Sequence, residues 1–386
     1  MHIVFITSNY PYESRPYHGA FVQELVRAIA KAGVRCTVIR PLSIFDKRYG
    51  ALDAWTYNDD EAGHKTIKIW SPRYLSASGK KLLFFNTNTI TQFNFNRAVY
   101  KMFSKIKPLP DVVYGHFLYP GGVVAVRLGL KTNLPSIVAV GDDNIYDHFG
   151  MISLSKCKRD FSEVRGMIIV SDKNKRDCKE VLGIPESKIC MLPNGVDLSM
   201  FYPRDRFEMR KKYGFPADKF IIAFTGHFIE RKGPHRVLEA VSGMDNIGLI
   251  FIGAGTIPLK GKNILYKGVL KHSLIPEMLS AADIFVLPTL MEGSCNAILE
   301  ALACGLPIVT SKGEFNDDIV GDNVAIRIDP LNIEEIRVAV AKLKNNIALR
   351  NKMSEKALSK SKQYDINVRA RKIVEWMQNI KKNYTK

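Results

Sequence analysis

Cysteine is sparse and never paired: the six residues at 36, 157, 178, 190, 295 and 304 include no C-x-x-C. That spacing indicates neither a disulfide framework nor a zinc site. Long apolar runs are also missing. No stretch approaches the roughly 18–20 residues needed to cross a bilayer, which argues against an integral membrane protein. Met1–Thr7 holds only four consecutive apolar residues, Ile3 to Ile6. Nothing basic precedes them and the run is too short for a secretory leader, so a reduced, cytoplasmic protein is expected. There is no low-complexity tract, and no repeat with a period of roughly 20–50 residues. Acid is missing locally as well: from Ala62 to Pro110 there is no Asp or Glu in 49 positions.

What is present is a globular composition. Hydrophobic residues make up 46% and charged residues 24% of 386 positions, which excludes a disordered or fibrous chain. At roughly 100–200 residues per domain, the length favours two domains. Lys+Arg number 56 against 38 Asp+Glu, a formal charge of +18. The surplus suits nucleic acid, an anionic membrane surface or phosphorylated small molecules. It divides evenly, with 27 basic and 18 acidic residues in 1–200 and 29 and 20 in 201–386. The acid-free stretch is the exception. It carries nine Lys/Arg among Trp70, Tyr74, Phe84, Phe85, Phe93, Phe95, Tyr100 and Phe103, densest at Lys80-Lys81-Leu-Leu-Phe-Phe85. Basic residues with aromatic anchors suit an interfacial segment on anionic lipid. The same pattern fits core aromatics with a solvated lysine face, and both readings stay open.

Strand and helix patterns alternate along the chain. His2–Ile6 reads as a buried strand, Phe21–Ala32 as a helix stopped by Gly33, and Cys36–Ile39 as the next strand, a βαβ unit that implies a parallel sheet. Strand patterns return at 111–114, 136–140 and 167–170. After the turn signals of Leu192-Pro-Asn-Gly-Val-Asp-Leu-Ser-Met-Phe-Tyr-Pro203 the alternation restarts at Lys219. The organisation predicted is an N-terminal Rossmann-like domain over 1–198, a second over 199–365 and a terminal helix over 366–386 that returns to the first. The fold class is therefore α/β, with two facing doubly wound domains. Open α/β sheets bind ligands at the carboxyl ends of their strands, so the site is expected in an inter-domain cleft.

The most informative stretch is Pro288-Thr-Leu-Met-Glu-Gly-Ser-Cys-Asn-Ala-Ile-Leu-Glu-Ala-Leu-Ala-Cys-Gly-Leu-Pro-Ile-Val-Thr-Ser311. Glu292 falls in a loop after a strand, and Glu300 eight residues on, in a helix. Between them Gly293, Ser294, Cys295 and Asn296 present backbone N–H groups at the helix start, which favours phosphate. Carboxylates accept hydrogen bonds from vicinal hydroxyls, so the order glutamate, phosphate cradle, glutamate suits a sugar joined through phosphate to a ribose. Taken alone, a dipole-favouring Glu and a solvated Glu explain the pair equally well.

This stretch resembles the E-x7-E signature of glycosyltransferase family 4, the retaining nucleotide-sugar enzymes of the GT-B fold. The resemblance covers nearly the whole chain. Asn194-Gly-Val-Asp197 with Phe201 resembles the family's N-G-V-D-x-x-x-F, Thr225-Gly-His-Phe-Ile-Glu-Arg-Lys-Gly233 its V-G-R-L-x-x-x-K-G, Phe251-Ile-Gly-Ala-Gly255 its glycine turn and Gly305-Leu-Pro307 its G-x-P. It implies that Glu292 contacts donor-sugar hydroxyls, Glu300 the ribose, and Lys232 the donor diphosphate. Gly253 and Val269 would border the nucleoside. The family's Arg five residues before that Lys is His227 here, so Arg231 compensates or phosphate binding weakens and becomes pH-dependent. Gly19 corresponds to a glycine loop against diphosphate and acceptor. His116, in Asp111-Val-Val-Tyr-Gly-His116, matches the second His of D-V-V-H-x-H and is implied to lie near the transferred sugar. The family's V-H-G segment reads Val140-Gly-Asp-Asp-Asn144, where Asp142 or Asp143 lines an acceptor pocket or only caps a helix.

The chain has no D-x-D, so Lys232 and the helix start are expected to serve the diphosphate with no metal and no cofactor. The implied activity is transfer of a sugar from a nucleotide-sugar donor to a saccharide or lipid-linked acceptor, with retention of configuration, in cell-surface polysaccharide or glycolipid synthesis. The acceptor hydroxyl attacks on the face the nucleotide leaves, the departing phosphate takes the proton, and no covalent nucleophile is assigned. Residues 62–110 would face the inner membrane surface. A sugar-nucleotide epimerase of the same fold is the alternative. A nucleic-acid-binding protein is suggested only by the pI of about 9.5, with no recognition motif beside it, and no nucleic-acid partner is expected.

Overall fold

The computed structural model describes residues 1–12, 17–45, 54–59, 65–77, 81–82, 85–141, 145–148, 153–321 and 323–384. The chain divides into two compact units, Met1–Leu192 with Asn367–Lys386, and Pro193–Ile366. Each is a Rossmann-like half built on its own sheet.

The first sheet has eight strands: β1 (His2–Ile6), β2 (Arg35–Ile39), β3 (Ala54–Asp59), β4 (Lys65–Trp70), β5 (Val112–His116), β6 (Ser136–Val140), β7 (Gly166–Ile169) and β8 (Ile189–Met191). Their order is β8-β7-β6-β5-β1-β2-β4-β3. All neighbours are parallel except β3 against β4. The apolar runs behind β1, β5 and β6 are buried along their whole length, as strands covered on both faces must be. The order reverses between β1 and β5. At that switch point the carboxyl ends lead into helix Ala20–Lys31 on one side and into His116 on the other.

The acid-free stretch is divided between core and surface. Phe95 and Phe103 on helix Asn88–Phe103 are buried beside Val4, Ile6 and Val113, with Tyr74 edge-on to Phe95 at 5.4 Å. Phe93 on the same helix is 64% exposed. Lys80 and Phe84 lie outside the described residues.

The second sheet has six parallel strands: β9 (Phe220–Thr225), β10 (Ile247–Ile252), β11 (Ile264–Gly268), β12 (Ile284–Leu287), β13 (Ile308–Ser311) and β14 (Ala325–Ile328), in the order β11-β10-β9-β12-β13-β14. Its switch point lies between β9 and β12, where Ile222 pairs with Ile284 and Ala223 with Phe285. Phe224, Phe251 and Phe285 fill the core beneath it.

The units part at Leu192/Pro193 rather than at 198/199, and the reason is hydrogen bonding. Val196 N–H donates to the Tyr364 carbonyl (2.8 Å) and Ile366 N–H to the Val196 carbonyl (3.0 Å), which ties the junction segment to the far end of the second unit. The final helix, Ile366–Tyr384, carries residues Asn367 onward into the first unit. It buries Ala370, Ile373 and Met377. Trp376 lies where a Cβ on Gly166 would come within 2.3 Å, so only glycine lets the ring lie against β7. Lys381 and Asp111 close the far end at 2.5 Å. Replacing Ile373, which is fully buried, by Ala should destabilise the first unit by about 2–5 kcal/mol. Urea unfolding followed at Trp376 measures it, and a loss below about 0.5 kcal/mol, the size of an ordinary surface substitution, would show that the helix is not part of that core.

Candidate active site

In the second unit, two loops leave the switch point. Gly226–Gly233 follows β9 and Pro288–Cys295 follows β12. Three side chains lash them together. Arg236, buried on helix Pro234–Ala240, donates to the Pro288 carbonyl (3.0 Å) and the Glu230 carbonyl (2.9 Å), and pairs with Glu230 Oε1 at 2.6 Å. Arg231 donates Nη1 to the Met291 carbonyl (2.8 Å), while Leu290 N–H donates to the Arg231 carbonyl (2.8 Å). Lys232 Nζ forms a buried ion pair with Glu292 Oε1. Gly233, at φ +69°, makes the turn possible, since a Cβ there would fall 2.3 Å from the Arg236 guanidinium.

Burial lowers the Lys232 pKa, but the adjacent Glu292 carboxylate outweighs it and holds the ammonium pKa above its ordinary value. His227 takes the opposite direction. Burial lowers its pKa, and the neighbouring Lys232 and Arg231 cations add to the effect, so the imidazole is neutral at pH 7. The position thus carries an uncharged donor or acceptor. Beside these groups, Cys295 begins helix Asn296–Ala303. Burial pushes its thiol up to about 12, which makes it a poor nucleophile.

Three buried oxygens at this edge have no hydrogen-bond partner among the described residues: Thr225 Oγ1, Ser294 Oγ and Asn296 Oδ1. Unpartnered polar atoms beside a helix N-terminus and a buried ammonium are the chemistry of a site that receives polar, anionic groups. The neighbouring Ser294 carbonyl accepts from Asn194 Nδ2 at 3.4 Å. Glu300, buried within the helix, accepts from His272 Nε2 at 3.0 Å. Gly253 keeps two strand ends in contact, because a Cβ there would lie 2.0 Å from the Gly226 carbonyl oxygen. Val269 is exposed, and its carbonyl accepts from Tyr266 Oη at 3.2 Å. Gly293 is buried between Glu292 and Ser294.

The first unit has its own switch-point cluster. His116 ends β5 and is 9% exposed. Its ring is enclosed by Phe117 at 4.7 Å, Phe21 at 5.6 Å and Tyr114 at 6.1 Å. Phe117 takes φ +64°, which turns the chain sharply out of the strand. Burial, with the Arg369 guanidinium second, lowers the His116 pKa to about 3. Its Nδ1 has no partner among the described residues. Gly19 precedes helix Ala20–Lys31 at φ +70°, and a Cβ would sit 2.4 Å from the Asn9 carbonyl carbon, so close backbone approach by itself requires glycine here. Asp142 and Asp143 lie outside the described residues.

Of the residues singled out from sequence, Lys232, Glu292, His227, Arg231 and Cys295 are mutual neighbours in the second unit, and His116 and Gly19 flank the switch point of the first. Sequence reasoning missed Arg236 and His272. Arg236 follows the K-G turn by three residues, helical spacing from Gly233. His272 is 28 positions from its partner Glu300, in a segment with no motif, and carried no signal.

Two family models cover the chain. "Glycosyltransferase Family 4" matches residues 19–200 and "Glycosyl transferases group 1" matches 205–360. The chain belongs to glycosyltransferase family 4. The enzyme is 26% identical over 356 residues, 89% of each chain, to the putative teichuronic acid biosynthesis glycosyltransferase TuaC of Bacillus subtilis (strain 168). Over 171 residues, 40% of this chain and 44% of the other, it is 31% identical to the UDP-Gal:alpha-D-GlcNAc-diphosphoundecaprenol alpha-1,3-galactosyltransferase of Escherichia coli. Its fold is shared with the sucrose-phosphate synthase of Thermosynechococcus elongatus, a GT-B enzyme, at TM-score 0.78 and 16% identity over 98% of both chains.

The His116 shift sets a pH dependence. The folded enzyme binds that proton less readily than the unfolded chain, so this group leaves stability unchanged above about pH 6.5 and lowers it as pH falls towards 3. Between those values the slope is about 1.4 kcal/mol per pH unit. Urea midpoints from pH 7 to 4 for wild type and His116→Gln should converge in acid. Parallel curves would mean that His116 titrates normally.

Proposed function

We propose that this glycosyltransferase transfers a hexose from a nucleotide-sugar donor to a lipid-linked or saccharide acceptor with retention of anomeric configuration and without a metal ion. The observation that carries the reading is the buried Lys232–Glu292 pair at the second switch point, beside the helix start that holds unpartnered Ser294 and Asn296 oxygens. A diphosphate arriving at that helix start offers Lys232 a second anionic partner. Turning Lys232 towards it frees Glu292 to accept from the donor sugar's hydroxyls. Glu300 accepts from the ribose. His227, neutral, gives the diphosphate one hydrogen bond in place of an arginine fork. Leaving-group charge is met by Lys232 and the helix dipole, so a divalent cation has no electrostatic role left to fill. His116, neutral across physiological pH, serves the transfer as a hydrogen-bonding group rather than a cation. Retention follows if the acceptor hydroxyl attacks on the face from which the nucleotide departs and the phosphate takes its proton. A nucleoside-diphosphate sugar as donor and an undecaprenyl-linked saccharide as acceptor agree with what the Escherichia coli relative is named for.

Glu292→Gln should abolish transfer while the fold persists, and Lys232→Met should lower kcat/KM by about a hundredfold or more, the scale of losing one preorganised charge contact. Proton NMR of the product should show the donor's anomeric configuration, and rates should be unchanged in EDTA. Near-normal turnover by Glu292→Gln, or an inverted product, overturns the reading.

A membrane surface is the second partner we propose. Ile44, Phe45, Leu75, Ile90 and Phe93 are all exposed. They are neighbours, since Ile44 N–H donates to the Tyr74 carbonyl (2.9 Å) and Asn94 Nδ2 to the Leu75 carbonyl (2.9 Å). The segment that supplies three of them has nine Lys/Arg and no acid, which complements an anionic bilayer. Among the described residues no helix is long and apolar enough to cross a membrane. The enzyme should therefore pellet with phosphatidylglycerol vesicles at low salt and release at high salt. Phe93→Ser should weaken pelleting about tenfold, the worth of one buried aromatic ring. Failure of the wild type to pellet at low salt removes the proposal.

A further inference from the structure

The junction motif Asn194-Gly-Val-Asp197 with Phe201 has no part in the chemistry described above, and neither has His272. The second unit places them in series behind Glu300. Asp197 folds the motif into a tight turn: its Oδ1 accepts from Ser199 N–H (2.9 Å) and Ser199 Oγ–H (2.6 Å). Its carbonyl accepts from Met200 N–H (3.0 Å) and Phe201 N–H (2.8 Å). That turn sends Phe201 inward, where it is 1% exposed and joins the core. The Phe201 ring stands 5.1 Å from the His272 ring, inclined at 56°. His272 also reaches Glu300, Nε2 to Oε1 at 3.0 Å. An ionised carboxylate only accepts, so Nε2 carries the proton and the tautomer is set.

Glutamate has three rotatable side-chain bonds, and a carboxylate that must find its orientation at the moment of binding loses conformational entropy then. A hydrogen bond from a ring that is itself wedged against the core settles that orientation beforehand. We propose that His272, backed by Phe201, is a positioning residue that holds the Glu300 carboxylate where its remaining lone pairs meet the hydroxyls of the donor's ribose. The inference rests on the reading of Glu300 as the ribose carboxylate. The junction motif then has a task in donor recognition: it supplies the aromatic stop behind the histidine. Ribose contacts are the same in the ground state and the transition state, so disturbing them changes donor affinity and KM, and leaves kcat alone.

The test compares wild type, His272→Ala, His272→Gln and Glu300→Gln. Calorimetry is run on the full chain with UDP, GDP and ADP and with their 2′-deoxy and 3′-deoxy forms. For the diphosphate that binds, wild type should prefer the ribose form over a deoxy form by about tenfold, the worth of one charge-assisted hydrogen bond. His272→Ala should bring that ratio towards one and raise donor KM by about fivefold or more, with kcat within about twofold, as loss of uniform binding requires. Glutamine can present a donor near the place of Nε2, so His272→Gln should restore most of the preference. A merely structural histidine would lower the melting temperature without touching the ribose-to-deoxy ratio. If His272→Ala keeps the wild-type ratio while Glu300→Gln loses it, the positioning role is wrong and the Glu300 assignment stands. If Glu300→Gln also keeps the ratio, or wild type binds none of the diphosphates, the donor reading fails and this inference with it.

Discussion

A lysine and a glutamate paired out of water set the constraint on which the second unit's site depends. Burying two charges is costly, and only their mutual attraction with well-placed neighbours offsets it. Lys232 and Glu292 meet that condition because the loops that carry them cannot drift apart: Arg231 binds the Met291 carbonyl and Arg236 the Pro288 carbonyl. Removing either partner would strand an uncompensated charge, a penalty of about 3–5 kcal/mol in buried pairs. The pair also explains its surroundings. Its ammonium helps keep His227 neutral, and both charges act on the Cys295 thiol, with burial the larger effect in each case.

Much of this was legible in the sequence. The alternation of apolar runs with helical spacing located the central strands of both sheets, because buried parallel strands are written as unbroken Val, Ile and Phe, but it did not show the outer strands β3, β4, β8, β11 and β14. The proximity of Glu292 to the K-G turn was also legible, since each lies at a fixed distance from a strand end of the same sheet. What stayed hidden depends on contacts far apart in the chain. The partnership of His272 with Glu300, the reach of Arg236 to Pro288 and the enclosure of His116 by Phe21 are set by the packing of elements that no local pattern relates. The acid-free stretch shows the same limit from another side. Composition could not distinguish Phe95, buried beneath the first sheet, from Phe93 two residues earlier on the solvent side, because helix phase relative to a sheet is a tertiary fact.

Charge is organised by neighbourhood rather than by total. Asp160 gathers Arg127 at 2.7 Å, Lys156 at 2.7 Å and Tyr119 at 2.9 Å, and these contacts overcome burial to hold its carboxyl below the usual range. Asp283 pairs with Arg206 at 2.9 Å and Arg210 at 2.7 Å. Acidic groups in the interior thus use up cations in pairs and triads. Cations left at the surface are screened by salt and act on association rather than on the fold.

The returning helix has a consequence for how the enzyme is made. Translation delivers 192 residues of the first unit and then 174 residues of the second before the segment that completes the first emerges. Until then β7 lacks the indole that covers Gly166, and Asp111 lacks Lys381. The second unit has no such debt: its two ends, Val196 and Ile366, are already hydrogen-bonded to each other once it is synthesised. The half begun later on the ribosome is therefore the half that can close first, and the first sheet waits, partly uncovered, for the helix that returns to it.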